Sequence, residues 1–249
     1  MEVFNPFSLS GKTILATGAS SGIGRGIAIA LSKMGSNVII SGRNKAKLDV
    51  TLSEMAEGNH SIVAADLTKA EDITALSDSV TPLDGIVHCA GIGHRMPAKM
   101  ISENDIDTVM KANFDSAVLL QAALLTKKKV KKDSSIVFIA SKAADFPSPG
   151  NAIYSASKGA MISYARCLAL ELAPRGIRVN CICPAMVWTD LILQNEVTEE
   201  QLRESEKSYP LKRYGEPEDV ANLAIYLLSD ASTWMTGSCI DLTGGGNSL

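Results

Sequence analysis

The sequence predicts an α/β fold: a doubly wound, mostly parallel seven-stranded sheet with helices on both faces. Three observations carry that expectation. Seven short runs rich in Ile and Val recur along the chain, each nearly continuously apolar, as strands covered on both faces must be. Longer segments of helical period separate them. No Pro/Gly/Ser-rich linker, repeat or low-complexity stretch interrupts the alternation, and 249 residues are ample for one domain over 1–249 but cramped for two. In such sheets ligands lie beyond the carboxyl ends of the strands, so chemistry is sought there.

The expected strands are residues 12–17, 37–41, 60–65, 85–89, 135–140, 177–183 and 238–242. Between the first two, Ile23, Ile27, Leu31 and Met34 recur at helical spacing and Gly35 supplies the stop, which makes a βαβ unit. Further on, Ser102 with Asp105 reads as a capping box. Ile106, Met110, Asn113, Ala117, Leu120 and Leu124 then trace one helical face, with Asn113 its polar exception. An amide there needs a buried partner. A later helix begins near Tyr154 and runs through Met161, Ala165 and Leu168 to Leu172.

Composition narrows the function. Hydrophobic residues at 46% and charged residues at 20% exclude disorder, and a formal net charge of −3 argues against a nucleic-acid partner. No apolar run approaches the roughly 18 residues of a membrane span, and residues 1–10 lack a secretory pattern, so a cytoplasmic protein is expected. The five cysteines include no CxxC pair and the three histidines share no ligand spacing with them; buried thiols and no metal are expected. Asn59-His60-Ser61 is a chance glycosylation match.

Just past the first strand, Thr17-Gly18-Ala19-Ser20-Ser21-Gly22-Ile23-Gly24 opens directly into a helix. Glycines let the chain turn tightly and bring N–H groups to a pyrophosphate, while the helix start adds partial positive charge. A dinucleotide is the natural occupant. The second strand ends at Ser41-Gly42-Arg43-Asn44, where an NAD site would place an acid for the ribose hydroxyls, yet no Asp or Glu occurs from 35 to 48. Arg43 can pair with a 2′-phosphate, with Ser20 and Ser21 adding hydroxyls, so NADP(H) is the expected cofactor. Read alone, Arg43 is equally a solvated surface charge.

Tyr154 and Lys158 lie four apart on one helix face, so the ammonium stands near the phenol and favours its ionised form. A free phenol, titrating near pH ~10, is otherwise a poor proton donor and acceptor at neutral pH. Ser141 closes the 135–140 strand, where a hydroxyl can hold a substrate carbonyl.

Thr17-Gly18-x-x-x-Gly22-x-Gly24, Asn113, Ser141 and Tyr154-x-x-x-Lys158 resemble, in order and spacing, the short-chain dehydrogenase/reductase family, over essentially the whole chain. The resemblance implies a Rossmann-like domain, a nicotinamide cofactor and a homodimer or homotetramer. It makes Tyr154 the general acid of carbonyl reduction and Ser141 the group that polarises the carbonyl. Lys158 would assist the tyrosine and bond the nicotinamide ribose, and Asn113 would hold a water joining Lys158 to solvent. Cofactor contacts implied are Gly18, Ser20, Ser21, Gly22, Ile23 and Gly24, then Arg43, then Asp66 and Leu67 at the adenine. Cys89, Ala90 and Gly91 follow strand four; Val187 and Thr189 follow strand six, Thr189 at the nicotinamide amide. Two departures stand out: Cys89 replaces the family's Asn, and Ala185 replaces the Gly after Pro184.

Length and the ending Asp241-Leu242-Thr243-Gly244-Gly245 are most similar to bacterial 3-oxoacyl-[acyl-carrier-protein] reductases, whose substrates are acyl thioesters. Lys127, Lys128, Lys129, Lys131 and Lys132 cluster at the end of the Asn113 helix, and Lys132 and Arg175 match positions that dock an acyl carrier protein there. A solvated helix end explains the same lysines. Sugar or polyol carbonyls remain the alternative substrates, and an NADP(H) sensor without turnover the alternative class. Specificity is expected in the segment 186–214, where Trp188, Leu191, Leu193, Tyr209 and Leu211 either cover a substrate or simply pack.

Overall fold

A computed structural model describes residues 4–193 and 198–246. Its sheet has seven strands: β1 (Thr13–Thr17), β2 (Asn37–Gly42), β3 (Ser61–Ala64), β4 (Leu83–His88), β5 (Val130–Ile139), β6 (Arg178–Pro184) and β7 (Cys239–Leu242). They lie in the order β3-β2-β1-β4-β5-β6-β7, and every pairing is parallel. Strand order reverses between β1 and β4, which opens a crevice at their carboxyl ends.

The helices are α1 (Gly22–Lys33), α2 (Lys45–Glu54), α3 (Ala70–Ser79), α4 (Glu103–Met110), α5 (Ser116–Thr126), α6 (Ala152–Leu172), α7 (Asp190–Leu193), α8 (Glu199–Glu206) and α9 (Pro217–Leu228). The period of two in the strands divides the core. In β1, Ile14 and Ala16 face α1, α2 and α9, while Leu15 faces α3, α5 and α6. Strands lined on both sides in this way read as continuous apolar runs. α1 ends as expected, with Gly35 at φ +84°. Among the described residues, no helix is long and apolar enough to cross a membrane.

Two elements depart from the expected pattern. β5 starts at Val130, five residues before the expected 135, because the chain reverses at Lys128 (φ +54°) and Val130 already pairs with Leu83. The charged run that hides this strand edge is exposed, and a register shift between Leu83 and Gly85 absorbs it. The lysines therefore do not form one helix end: Lys127 caps α5, whereas Lys131 and Lys132 belong to β5. The helical face through Asn113 is also interrupted. Between α4 and α5, Lys111–Asp115 winds as a π-helical turn, with Asn113 at its centre and fully buried. The Ser102/Asp105 capping box forms as expected.

The cysteines are free, with Cys181 and Cys183 buried. Cys167 corrects the expectation of buried thiols: it lies on the exposed side of α6.

His88 closes β4 inside the core, stacked on Phe138 with ring centres 4.6 Å apart and its Nε2 3.0 Å from Gln121 Oε1. Burial depresses this imidazole to about 4, the Gln121 contact opposing. The unfolded chain therefore takes up a proton below the ordinary value of about 6.5 while the native chain does not, and stability falls from there down to about pH 4, by about 3 kcal/mol. Urea titrations of the wild type and of His88→Gln at pH 7 and pH 4.5 check this: the pH-dependent loss is expected to be smaller in the variant by that order.

Candidate functional site

The crevice is built first by close backbone approach. Gly18 (φ +67°) ends β1 where a Cβ would stand 2.8 Å from Ala90 N, and a Cβ on Gly24 would strike the Gly18 carbonyl. Only glycine fits either position, and their absent side chains bring the α1 start against the turn. Thr17 Oγ1 locks the joint: it donates to Val87 O and accepts from Cys89 N (3.1 Å) and Ala90 N (3.3 Å). Where Cys89 stands in place of the family's Asn, the Thr17 hydroxyl joins β1 to the end of β4. Burial pushes the Cys89 thiol up to about 12 despite Lys158, so it is a neutral group rather than a nucleophile.

Ser21 caps α1 with its backbone, leaving its hydroxyl out of the cap, and Arg25 Nη2 donates to Ser20 O to hold the turn. A Cβ on Gly22 would stand 3.1 Å from Thr189 Cγ2, so Gly22 and Thr189 face each other across the crevice. Thr189 is steadied by its bond to the carbonyl of buried Val187. Ala185 fits without displacing the strand, its N–H bonded to Leu242 O.

Arg43 is exposed at the end of β2, and Gly42 beside it adjoins Ser20, whose Oγ lies 3.3 Å from a Cβ built there. Asp66 is near enough to feel the Arg43 charge. Burial raises its carboxyl, yet the Thr68 hydroxyl and amide, with Arg43 and Lys69, hold it below the usual carboxylate range. Sequence spacing around β2 did not show this acid, because it arrives from the end of β3. Leu67 beside it is buried in the core.

The second cluster gathers Asn113, Ser141, Tyr154 and Lys158. Lys158, 5% exposed, donates from Nζ to Ile139 O at 2.8 Å and stands 5.9 Å from the centre of the Tyr154 ring. Ser141 begins the 3₁₀ turn just beyond that strand end, its Oγ accepting from Ala143 N. Asn113 Oδ1 accepts from Ile92 N at 2.7 Å, while its Nδ2 donates to Ile92 O and to Ser157 Oγ. Ser157 in turn donates to Tyr154 O. A Cβ on Gly91 would stand 3.0 Å from Asn113 Oδ1 and 3.7 Å from Lys158 Nζ, so the Cys89-Ala90-Gly91 segment borders this cluster as well as the glycine turn.

The donor set suits a dinucleotide. Two of the three ammonium donors of Lys158 have no acceptor among the described residues, and the turn residues present backbone N–H groups beside a helix start. Sequence reasoning missed Ser157 and Arg25. The first was visible: Ser157 sits inside the Tyr154/Lys158 spacing, at i+3 from Tyr154.

After Thr189 come α7 and α8; residues 194–197 between them lie outside the described residues. Trp188, Tyr209 and Tyr214 pack together with Ile192 and Leu202. Trp188 and Tyr209 are partly buried against this cluster. Leu191 reaches the loop after β4, 3.1 Å from a Cβ built on Gly93, while Leu193 and Leu211 are exposed.

The basic residues are elsewhere. Lys127 pairs with Asp78 at 2.6 Å, Lys131 with Asp84 at 2.8 Å, and Lys129 Nζ bonds Val80 O. Arg175 Nη2 donates to Val130 O, and Lys132 is exposed. They border the amino end of β5, about 30 Å from Ser141 at roughly 3.3 Å per strand residue.

Asn113→Ala removes three hydrogen bonds and leaves Ile92 N–H and C=O without their partner. A loss of roughly 2–3 kcal/mol is expected, read as a lower urea midpoint at unchanged slope.

Comparison with known proteins matches residues 18–247 to a family model described as enoyl-(acyl carrier protein) reductase. The chain is 36% identical over 237 residues to the 3-oxoacyl-[acyl-carrier-protein] reductase FabG of Rickettsia felis, covering 95% of this chain and 97% of that one. A 3-ketoacyl-(acyl-carrier-protein) reductase from Brucella melitensis, solved with NADH, superposes with a TM-score of 0.87 at 32% identity, covering 97% of this chain and 100% of that one. A chain from Beutenbergia cavernae, assigned as an NAD(P) dependent gluconate 5-dehydrogenase and holding NADP at low occupancy, gives 0.89 at 32%, covering 98% and 100%. With the glycine turn, the parallel sheet and the Ser141, Tyr154 and Lys158 cluster, these matches establish that the chain belongs to the short-chain dehydrogenase/reductase family of oxidoreductases.

Proposed function

We propose that this chain is an NADPH-dependent carbonyl reductase, one cytoplasmic domain in which Tyr154 delivers the proton as a ketone becomes a secondary alcohol. The observation that carries the reading is Lys158: a buried ammonium held by Ile139 O at 2.8 Å and set over the Tyr154 ring. A pure NADP(H) sensor has no need of a phenol and an ammonium in that arrangement.

A bound nicotinamide supplies the hydride. The chain's residues do the rest. The Ser141 hydroxyl donates to the substrate oxygen and holds it beside Tyr154, and charge developing there is met by prepositioned donors rather than by water. As the oxygen gains charge, the Tyr154 hydroxyl proton moves to it, and the Lys158 ammonium stabilises the phenolate left behind. Asn113, by fixing Ile92 and Ser157, keeps the start of α6 and the loop after β4 in register. The protein functions as a homodimer or homotetramer.

Arg43 selects NADPH through its charge on the 2′-phosphate, with Ser20 close by. Asp66 tempers the selection, since its carboxylate shares the Arg43 field. The substrate is a 3-oxoacyl thioester: similarity to 3-oxoacyl-[acyl-carrier-protein] reductases over 95% of the chain supports this. A sugar or polyol carbonyl is the second reading, favoured by the likeness to the Beutenbergia chain.

Three measurements test these readings. Tyr154→Phe is expected to lose nearly all reduction of acetoacetyl thioesters while keeping NADPH affinity; retention of most of the rate removes the assigned acid. In titration calorimetry NADPH should bind roughly tenfold or more tightly than NADH, and Arg43→Asp should abolish or invert that preference; equal binding by the wild type defeats it. Neutralising Lys132 and Arg175 together should raise KM for a carrier-bound substrate at low salt and leave a small thioester unaffected. The parent's values for both substrates would exclude docking there.

A further inference from the structure

The turn after β5 holds a charge that the reaction scheme does not use. Lys142, the residue after Ser141, is 7% exposed. Its side chain crosses β6 to the edge strand β7, where Nζ meets Asp241 Oδ2 at 2.5 Å. The same nitrogen lies 3.9 Å from Asp145 Oδ2 and 4.5 Å from the centre of the Phe146 ring. The side chain is covered while its partners Asp241 and Asp145 are half-exposed, so a paired lysine at the end of an apolar strand calls for a role beyond filling space.

Holding β7 in the sheet is not that role. The edge strand is already paired to β6 from Cys181↔Cys239 to Pro184↔Leu242. What Lys142 adds is a link between strand ends two places apart, closed at the same time on its own loop through Asp145 and Phe146. The loop so held is the one that aims Ser141. Ser141 Oγ accepts from Ala143 N, Ala144 N donates to Ser141 O, and Phe146 N donates to Lys142 O at 2.9 Å. A shift of residues 142–146 therefore turns the Ser141 hydroxyl.

We infer that Lys142 is a positioning residue for Ser141, acting through its ion pair with Asp241 across β6 to fix the turn that directs the hydroxyl. The inference rests on the role proposed above for Ser141, and its test separates the two. The Asp241 side chain is 47% exposed, so changing it alters the pair without opening the core.

The experiment compares Lys142→Met, Asp241→Asn, the double variant and Ser141→Ala in the full chain. Amide hydrogen exchange is followed by mass spectrometry in the absence of cofactor, NADPH affinity by titration, and kcat and KM with an acetoacetyl thioester. Both single variants should exchange faster by roughly tenfold in residues 141–146 and unchanged in the glycine turn 17–24. Their kcat should fall by roughly tenfold to a hundredfold, as for a catalytic group displaced by a fraction of an ångström, with NADPH affinity within about twofold. The double variant should be no worse than Lys142→Met, since both substitutions break one pair. Unchanged exchange at 141–146, or additive losses in the double variant, would overturn the inference. If Lys142→Met does not fold, Asp241→Asn decides by the same readings. If Ser141→Ala keeps its kcat, the role of Ser141 falls, while the exchange data still decide whether the pair holds the turn.

Discussion

Thr17 Oγ1 holds three backbone groups at once, one in β4 and two just after it, and its grip at the β1/β4 boundary governs what surrounds it. With Cys89 and Ala90 fixed there, Gly18 must pass them at a distance no side chain tolerates, and the chain then turns into α1. The start of α1 is thereby brought beneath Thr189 from the far side of the crevice. The segment from Cys89 onward leads Gly91 to Asn113 and Lys158. One hydroxyl thus couples the glycine turn to the cluster of Asn113, Tyr154 and Lys158, although the two are separated by about half the chain.

Buried polar groups do the corresponding work on the other side. Asn113, Ser157 and Lys158 carry no large solvent-exposed surface, and each bonds the backbone of a different element, Asn113 on the loop after β4, Ser157 on the first turn of α6 and Lys158 on the end of β5, while Asn113 also donates to the Ser157 hydroxyl. In a dry environment such bonds are costly to leave unmade, so the three elements are tied to one arrangement more firmly than apolar contacts alone would achieve. Rigid placement of this kind suits groups that must meet a substrate oxygen without rearranging.

Most of the sheet was legible because a doubly covered strand leaves an unmistakable apolar run; β1, β2 and β6 appear within a residue or two of their expected ends. The start of β5 was not, since Lys131, Lys132 and Asp133 protrude beyond the covered part of the sheet and carry no apolar signal. The glycine turn and the Tyr154/Lys158 pair were readable from spacing, which a local motif preserves. Asp66 beside Arg43 and Lys142 on Asp241 were not, because each joins residues brought together only by the order of strands in the sheet. The π turn escaped for another reason: the apolar face continues on either side of it, and one extra residue in a turn leaves the composition unchanged.

That extra residue makes the site sensitive to chain length. A π turn arises when a helix accommodates one residue more than its α path requires. Point substitutions in Lys111–Asp115 can weaken it, but only a deletion restores the plain α path. Such a deletion would rotate α5 relative to α4 by about 100°, one residue's share of a helical turn. Leu120 and Leu124, buried on α5, would be turned away from the core they now fill. The presentation of Asn113 therefore depends on the number of residues in this turn as well as on its side chains: the helical offset changes only in whole residues.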